Sequence, residues 1–207
     1  MPWDDLSTLR RLYEVGLPAL LIVVALRSGR KRGWGLTARE LAFGFVLSQA
    51  VEFLAVGLGR YRYPDWLVYF PAWPAWVPLG IGLAWGALVP VVMRVSEGIL
   101  GKGASPWRLA ALDGLLAVGV DLILDPAVSG EPLRMWLWEG PGMTPYRLWL
   151  LGVPVFNFVG WFLLIGACSV ELRLAEKKPT ASAKGSFLLA MLALDLAIAA
   201  AVMQLPW

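Results

Sequence analysis

Residues 148–170 read LWLLGVPVFNFVGWFLLIGACSV, twenty-three positions without a charged side chain. A helix needs roughly 20 mostly apolar residues to cross a hydrocarbon core, so this stretch reads as a membrane span. Working outward from it, comparable apolar runs fall at 12–26, 40–58, 76–95, 109–124 and 187–205. With 148–170 they make six. The chain is therefore expected to be an all-α integral membrane bundle of about six transmembrane helices. It forms a single transmembrane domain over residues 1–207. The composition agrees: of 207 residues, 58% are hydrophobic and 16% charged, and the mean hydropathy of +0.66 is beyond that of a soluble domain. The first run is short, holds Pro18 and follows Arg10 and Arg11, faintly like a secretory signal. No small-x-small cleavage site follows and the next segment is basic, so processing is not expected.

Charge sets the expected topology. The loops after the first, third and fifth runs hold twelve Lys and Arg: Arg27, Arg30, Lys31, Arg32, Arg39, Arg94, Lys102, Arg108, Arg173, Lys177, Lys178 and Lys184. The other side holds six, namely Arg10, Arg11, Arg60, Arg62, Arg134 and Arg147. Basic residues gather on the cytoplasmic side, so both termini are expected on the non-cytoplasmic face of the cell membrane. The same clustering explains the net charge of +3. Its cause is topology, and no nucleic-acid partner is expected.

Two non-cytoplasmic loops differ from the rest. RYRYPDWLVYFPAWPAW (60–76) and EPLRMWLWEGPGMTPYRLW (131–149) are rich in Trp, Tyr and Pro. They read either as an aromatic belt at the interface or as a lid over an apolar ligand; the two are compatible. No internal repeat or separate soluble domain is visible.

The residue inventory narrows the chemistry. The chain has no histidine, which excludes His-based acid–base work, Ser-His-Asp hydrolysis and His-ligated metals. Cys168 is the one cysteine and reads as a small buried filler, with no disulfide available to it. Carboxylates, Tyr, Asn and Trp remain. A charge at a helix centre costs roughly 2.5–3.5 kcal/mol on insertion scales, so those that persist there have a reason.

Glu52, Asp121, Asp125 and Asp195 all fall at membrane depth. Asp121 and Asp125 are four apart and share one helix face. Pro126 is expected to end that helix at Asp125. A carboxyl placed there meets the negative end of the helix dipole in apolar surroundings, which favours the neutral, proton-donating acid. A plain helix stop, bonded to the following loop, is the alternative. Glu52 lies on the same outer half, and Asn157 adds an uncharged donor and acceptor at similar depth. A shared pocket under the two aromatic loops follows, against a reading of Glu52 as an inter-helix hydrogen bond. Asp113 reads as interfacial, and Asp195 as a solitary inter-helix contact.

Several of these residues recur in a known order. Glu52, Gly59-Arg60-Tyr61-Arg62-Tyr63, Val77-Pro78-Leu79 leading to Trp85, Leu124-Asp125-Pro126, Trp136-Leu137-Trp138, Gly152-Val153-Pro154, Asn157 and Gly160-Trp161 together resemble the carotenoid biosynthesis membrane protein family, which includes the bisanhydrobacterioruberin and gamma-carotene hydratases. The likeness covers about residues 50 to 165. It departs from the family where a Gly-Pro-Phe-Gly type segment is reduced to GLGRYRY and an aromatic pair before Gly-Val-Pro reads Leu150-Leu151.

The resemblance implies hydration of the terminal isopropylidene double bond of an acyclic or monocyclic carotenoid, with no organic cofactor and no metal. The residues themselves then suggest Asp125 as acid, and Asp121 or Glu52 holding water, with those roles exchangeable. Tyr61, Tyr63, Trp85, Trp136, Trp138, Tyr146, Asn157 and Trp161 become candidate substrate-binding residues. The expected partners are a long isoprenoid substrate and membrane lipids. Two other functions compete on the residues alone. The Asp121–Asp125 spacing also suits a prenyltransferase holding magnesium and a diphosphate, and the size suits a six-helix substrate-binding subunit of a transporter.

Overall fold

A computed structural model describes residues 5–64, 66, 68–72, 75–139 and 145–204. The tips of the two aromatic loops, at 65, 67, 73–74 and 140–144, and the end of the sixth expected span at 205 lie outside them. Six helices run through the described chain: α1 Asp5–Arg32, α2 Trp34–Gly57, α3 Leu79–Leu100, α4 Pro106–Ser129, α5 Val155–Glu176 and α6 Ala181–Val202. Two antiparallel hairpins interrupt them, β1 Tyr69–Ala72 with β2 Ala75–Pro78, and β3 Trp149–Leu150 with β4 Val153–Pro154. The chain is an all-α membrane bundle. Five helices are long and apolar enough to cross a membrane. The remaining one, α4, carries Arg108, Asp113, Asp121 and Asp125 and is the chemical exception.

Local signals explain the boundaries. Gly33, at φ 92°, makes the one-residue turn between α1 and α2, a conformation only glycine adopts freely. Ser105 and Thr180 cap α4 and α6, accepting from the N–H groups of Arg108 and Ala183 at 3.3 and 3.1 Å.

Three expectations are corrected. The helix expected from 148 begins only at Val155, because Leu151 and Gly152 turn with φ 53° and 78° and Pro154 keeps Val153 extended. The run expected from 76 likewise starts as strand, and its helix begins after Pro78. Conversely, Pro126 does not end α4, which continues to Ser129. Proline removes one backbone donor, and Ser129 Oγ ties the following turn back to Asp125 O at 2.7 Å.

The order helix, aromatic segment, hairpin, helix occurs twice, as α2 to α3 and as α4 to α5. Each hairpin ends in a buried Val-Pro, Val77-Pro78 and Val153-Pro154, and a Trp follows seven residues after each proline, Trp85 and Trp161. Those indoles stack with centroids 4.7 Å apart. The two segments meet where Arg62 and Leu137 exchange backbone hydrogen bonds of 3.1 and 2.9 Å. The sequence reading, which found no internal repeat, missed this recurrence of Val-Pro followed by Trp.

Close helix contacts fix the site's frame. A Cβ on Gly114 of α4 would lie 2.6 Å from the carbonyl oxygen of Phe162 in α5, so these backbones touch. Gly119, on the same helix, would meet nothing within 4 Å. Gly114→Val is therefore expected to lower the thermal midpoint in detergent by several degrees, while Gly119→Val leaves it close to wild type. Tryptophan fluorescence during heating reads both; equal midpoints for the two variants would show that the α4–α5 approach carries no such constraint.

Candidate functional site

The end of the bundle where α2 and α4 finish and α3 and α5 start is closed by the two aromatic segments. Backbone groups there are satisfied by side chains of the opposite segment and of α2. Trp66 Nε1 donates to Met135 O at 2.7 Å, Tyr146 Oη to Arg60 O at 2.7 Å, and Gln49 Nε2 to Pro78 O at 3.2 Å. Buried irregular backbone needs such partners. The cap is consequently fixed to the helices beneath it.

Under this cap lies a chamber of about 50 Å³, several times the 10–15 Å³ that one water needs. Glu52, Asp125 and Asn157 supply its polar groups. Tyr13, Tyr61, Tyr63, Trp85, Trp136, Trp138 and Trp161 form most of its wall, with Ile81, Ala84 and Leu124.

The carboxyls have different surroundings. Glu52 Oε2 accepts from both Tyr61 Oη at 2.5 Å and Tyr63 Oη at 2.6 Å. Among the described residues, none donates to Glu52 Oε1. Asp121 Oδ2 and Asp125 Oδ2 instead share one amide, Asn157 Nδ2, at 2.7 and 2.6 Å. Asp121 is fully buried behind Asp125, and its Oδ1 has no partner among the described residues. It touches the site through Asn157 rather than by facing the chamber.

The cap tyrosines are donors throughout the physiological range. Burial pushes the phenols of Tyr61 and Tyr63 well above their ordinary value, and the Glu52 carboxylate beside them adds to it. Burial also raises Tyr146. Rings meet edge to face: Tyr61 with Trp138 at 5.0 Å, Tyr61 with Tyr63 at 5.6 Å and Tyr63 with Trp136 at 6.1 Å. The indole N–H groups of Trp136 and Trp138 are buried and donate to no protein atom among the described residues. Both point a polar hydrogen that an oxygen of a ligand or water could take.

The sequence-derived candidates thus separate. Glu52, Asp125, Asn157, Tyr61, Tyr63, Trp85, Trp136, Trp138 and Trp161 share the chamber wall, with Asp121 behind them and Tyr146 in the cap. Asp113 is not a solvated interfacial group: it is fully buried and paired with Arg173 at 2.6 Å, at the opposite end of the bundle. Asp195 is not solitary; it adjoins the buried Glu171 of α5. Tyr13, in the first helix, was missed as a wall residue, and only its position among apolar neighbours marked it. Glu171 was missed because the apolar run of α5 ends one residue before it. Among the described residues, no group of three or more Asp, Glu, His or Cys side chains is gathered closely enough to hold a metal ion.

Residues 14–206 match the family described as carotenoid biosynthesis protein. The chain belongs to that family, and its role lies in carotenoid biosynthesis. No curated protein and no solved structure matches it.

The cap predicts a titration. In a spectrophotometric pH titration of the folded protein in detergent, Tyr61, Tyr63 and Tyr146 are expected to stay un-ionised well past pH ~10, where free phenols titrate. Unfolding should release them. Ionisation of all five tyrosines near that pH in the folded protein would contradict the buried phenol–carboxylate cluster.

Proposed function

We propose that this carotenoid biosynthesis protein is a hydratase, adding water across the terminal isopropylidene double bond of an acyclic or monocyclic carotenoid. The observation that carries the reading is the placement of two carboxyl groups, Glu52 and Asp125, on one small aromatic-walled chamber with unlike hydrogen-bond partners. Two titratable groups held in different environments are suited to opposite proton-transfer roles.

Asp125, in its protonated form, gives its proton to the CH carbon of the double bond, and the π electrons form the new C–H bond. The positive charge then sits on the carbon bearing two methyl groups. Trp85 and Trp161, with the other rings of the wall, offer electron-rich faces to that cation, an attraction on the order of 2 kcal/mol when desolvated. A water molecule adds through oxygen to the cationic carbon. Its surplus proton passes to Glu52, whose Oε1 carries no bond from the two tyrosines. Transfer of that proton back to Asp125 restores the starting state, so the net change is addition of H and OH with no redox step.

Asn157 keeps Asp121 and Asp125 side by side, and the Trp136 and Trp138 N–H groups are available to hold the water or the new hydroxyl. A dry pocket matters because bulk water would compete as base and would leave the acid solvated. The excess of Lys and Arg in alternate loops supports an orientation with both termini non-cytoplasmic.

The test is expression in cells that accumulate lycopene, with chromatography of the pigments. Wild type is expected to yield a tertiary alcohol. Asp125→Asn and Glu52→Gln should each lower product by about 100-fold or more, the usual contribution of a positioned acid or base, while the protein remains in the membrane. A well-expressed wild type that hydrates neither lycopene nor a monocyclic carotenoid would overturn the assignment. Unchanged product from Asp125→Asn would remove the acid role from that residue.

A further inference from the structure

The chamber does not end at Asn157. A second cavity of about 50 Å³ shares Glu52, Tyr61, Trp85, Asn157 and Trp161 with it and adds Gly160, Leu164, Phe156 and Met203. Those last four also line a third cavity, about 190 Å³, which continues between α5 and α6. Every lining residue of this third cavity is apolar except Asp195 at its far end. From Met203 to Asp195 the α6 wall spans eight residues, about 12 Å of helix. Leu163 and Ile198, 47% and 50% exposed, stand at its outer edge on surfaces that a membrane bundle presents to lipid.

The three cavities make one track, polar at the carboxyl end and apolar along the α5–α6 seam. Two facts show that the seam is open rather than packed. A Cβ on Gly160 would meet no atom within 4 Å. Among the described residues of α6, only Leu188, Asp195 and Ala199 are buried within the helix. Asp195 is 6% exposed, and its Oδ2 has no partner among the described residues, so a buried polar atom terminates the apolar lining.

We propose that the α5–α6 seam is the binding groove for the isoprenoid chain of the substrate, which enters sideways from the lipid and passes Gly160 to bring its end under the cap. The inference rests on the hydratase reading for what happens at the chamber, though not for the groove itself. The occupant follows from the groove's chemistry. A slot without donors or acceptors along its length, opening to lipid and leading to two carboxyls, suits a long hydrocarbon whose reactive end lies at its tip. A water-soluble ligand has nothing to bind there. Ordinary acyl chains could enter the outer part, but their polar heads have no route past Gly160.

The test uses the full chain in nanodiscs with lycopene as probe, read by tryptophan quenching and by induced circular dichroism of the polyene. Gly160→Leu places its side chain in open space and raises helix propensity, so it should fold. It is expected to weaken lycopene binding by about tenfold or more. Ala199→Leu, filling the groove from the α6 side, should act in the same direction. Gly119→Leu, which also meets open space but lies away from the groove, should bind like wild type.

Equal binding by wild type, Gly160→Leu and Ala199→Leu would overturn the proposal and leave the seam to lipid. A parallel loss in Gly119→Leu, or no polyene binding by wild type, would do the same. Wild type that binds lycopene, loses it in Gly160→Leu and yet forms no alcohol would keep the groove and refute the hydratase reaction. Undiminished alcohol formation by Gly160→Leu would refute the groove and keep the reaction.

Discussion

Buried backbone that leaves the helical path must find partners for its own N–H and C=O groups, and the rest of this structure depends on how two such segments do so. Each supplies what the other lacks. Arg62 and Leu137 pair through their main chains, Tyr146 covers the carbonyl of Arg60, and Trp66 covers that of Met135. The side chains needed for this are aromatic with one polar atom, which explains why the segments are rich in Trp and Tyr. The same residues then form a roof. Because Tyr61 and Tyr63 flank the Arg62 bridge, their phenols are aimed at Glu52, and because Trp136 and Trp138 flank Leu137, their indoles close the chamber from the other side.

The duplicated arrangement also accounts for the two carboxyls. Glu52 lies near the end of α2 and Asp125 near the end of α4, each just before its aromatic segment, so the halves bring one acid apiece to a common space. Their equivalence is broken by neighbours. One half answers with two phenols, whose fixed O–H groups stabilise a carboxylate that accepts. The other answers with an amide shared by a second carboxyl. A symmetric frame with unsymmetric partners thus gives one chamber two carboxyls in unlike surroundings.

Much of this could be read from the chain, for physical reasons that also set the limits. Apolar runs reveal where a helix must be buried in lipid, so all six helices were found; they do not reveal where hydrogen bonding starts or stops. Hence α5 began seven residues late, where Leu151 and Gly152 turn, and α4 ran past Pro126, since losing one donor is not enough to unwind a helix held on both sides. The acids of the site were legible because a carboxyl at membrane depth needs a purpose. Their partition was not, because whether Asp121 or Glu52 faces the chamber depends on helix rotation, fixed by contacts such as Gly114 against Phe162. The partners of Asp113 and Asp195 were missed for a related reason: Arg173 and Glu171 come from another helix.

The opposite end of the bundle shows what the site end gives up. There Arg173 of α5 reaches Asp113 of α4 at 2.6 Å and Glu97 of α3 at 3.7 Å, while Arg32 of α1 holds Glu40 of α2 at 2.8 Å. Five helices are tied by partly buried ion pairs whose loss would leave a charge uncompensated. The helix outside that cluster is α6; its charged anchor, Lys184 to Glu176 at 2.7 Å, sits at the turn that joins it to α5. A bundle pinned at one end by charge and capped at the other by aromatic side chains is left with an apolar seam between those two ends. The α5–α6 interface supplies that seam, with Gly160, Ala199 and its exposed rim of Leu163 and Ile198. Between Met203 and Asp195 that seam is left to apolar contact, while the backbone groups that must be satisfied are satisfied in the cap.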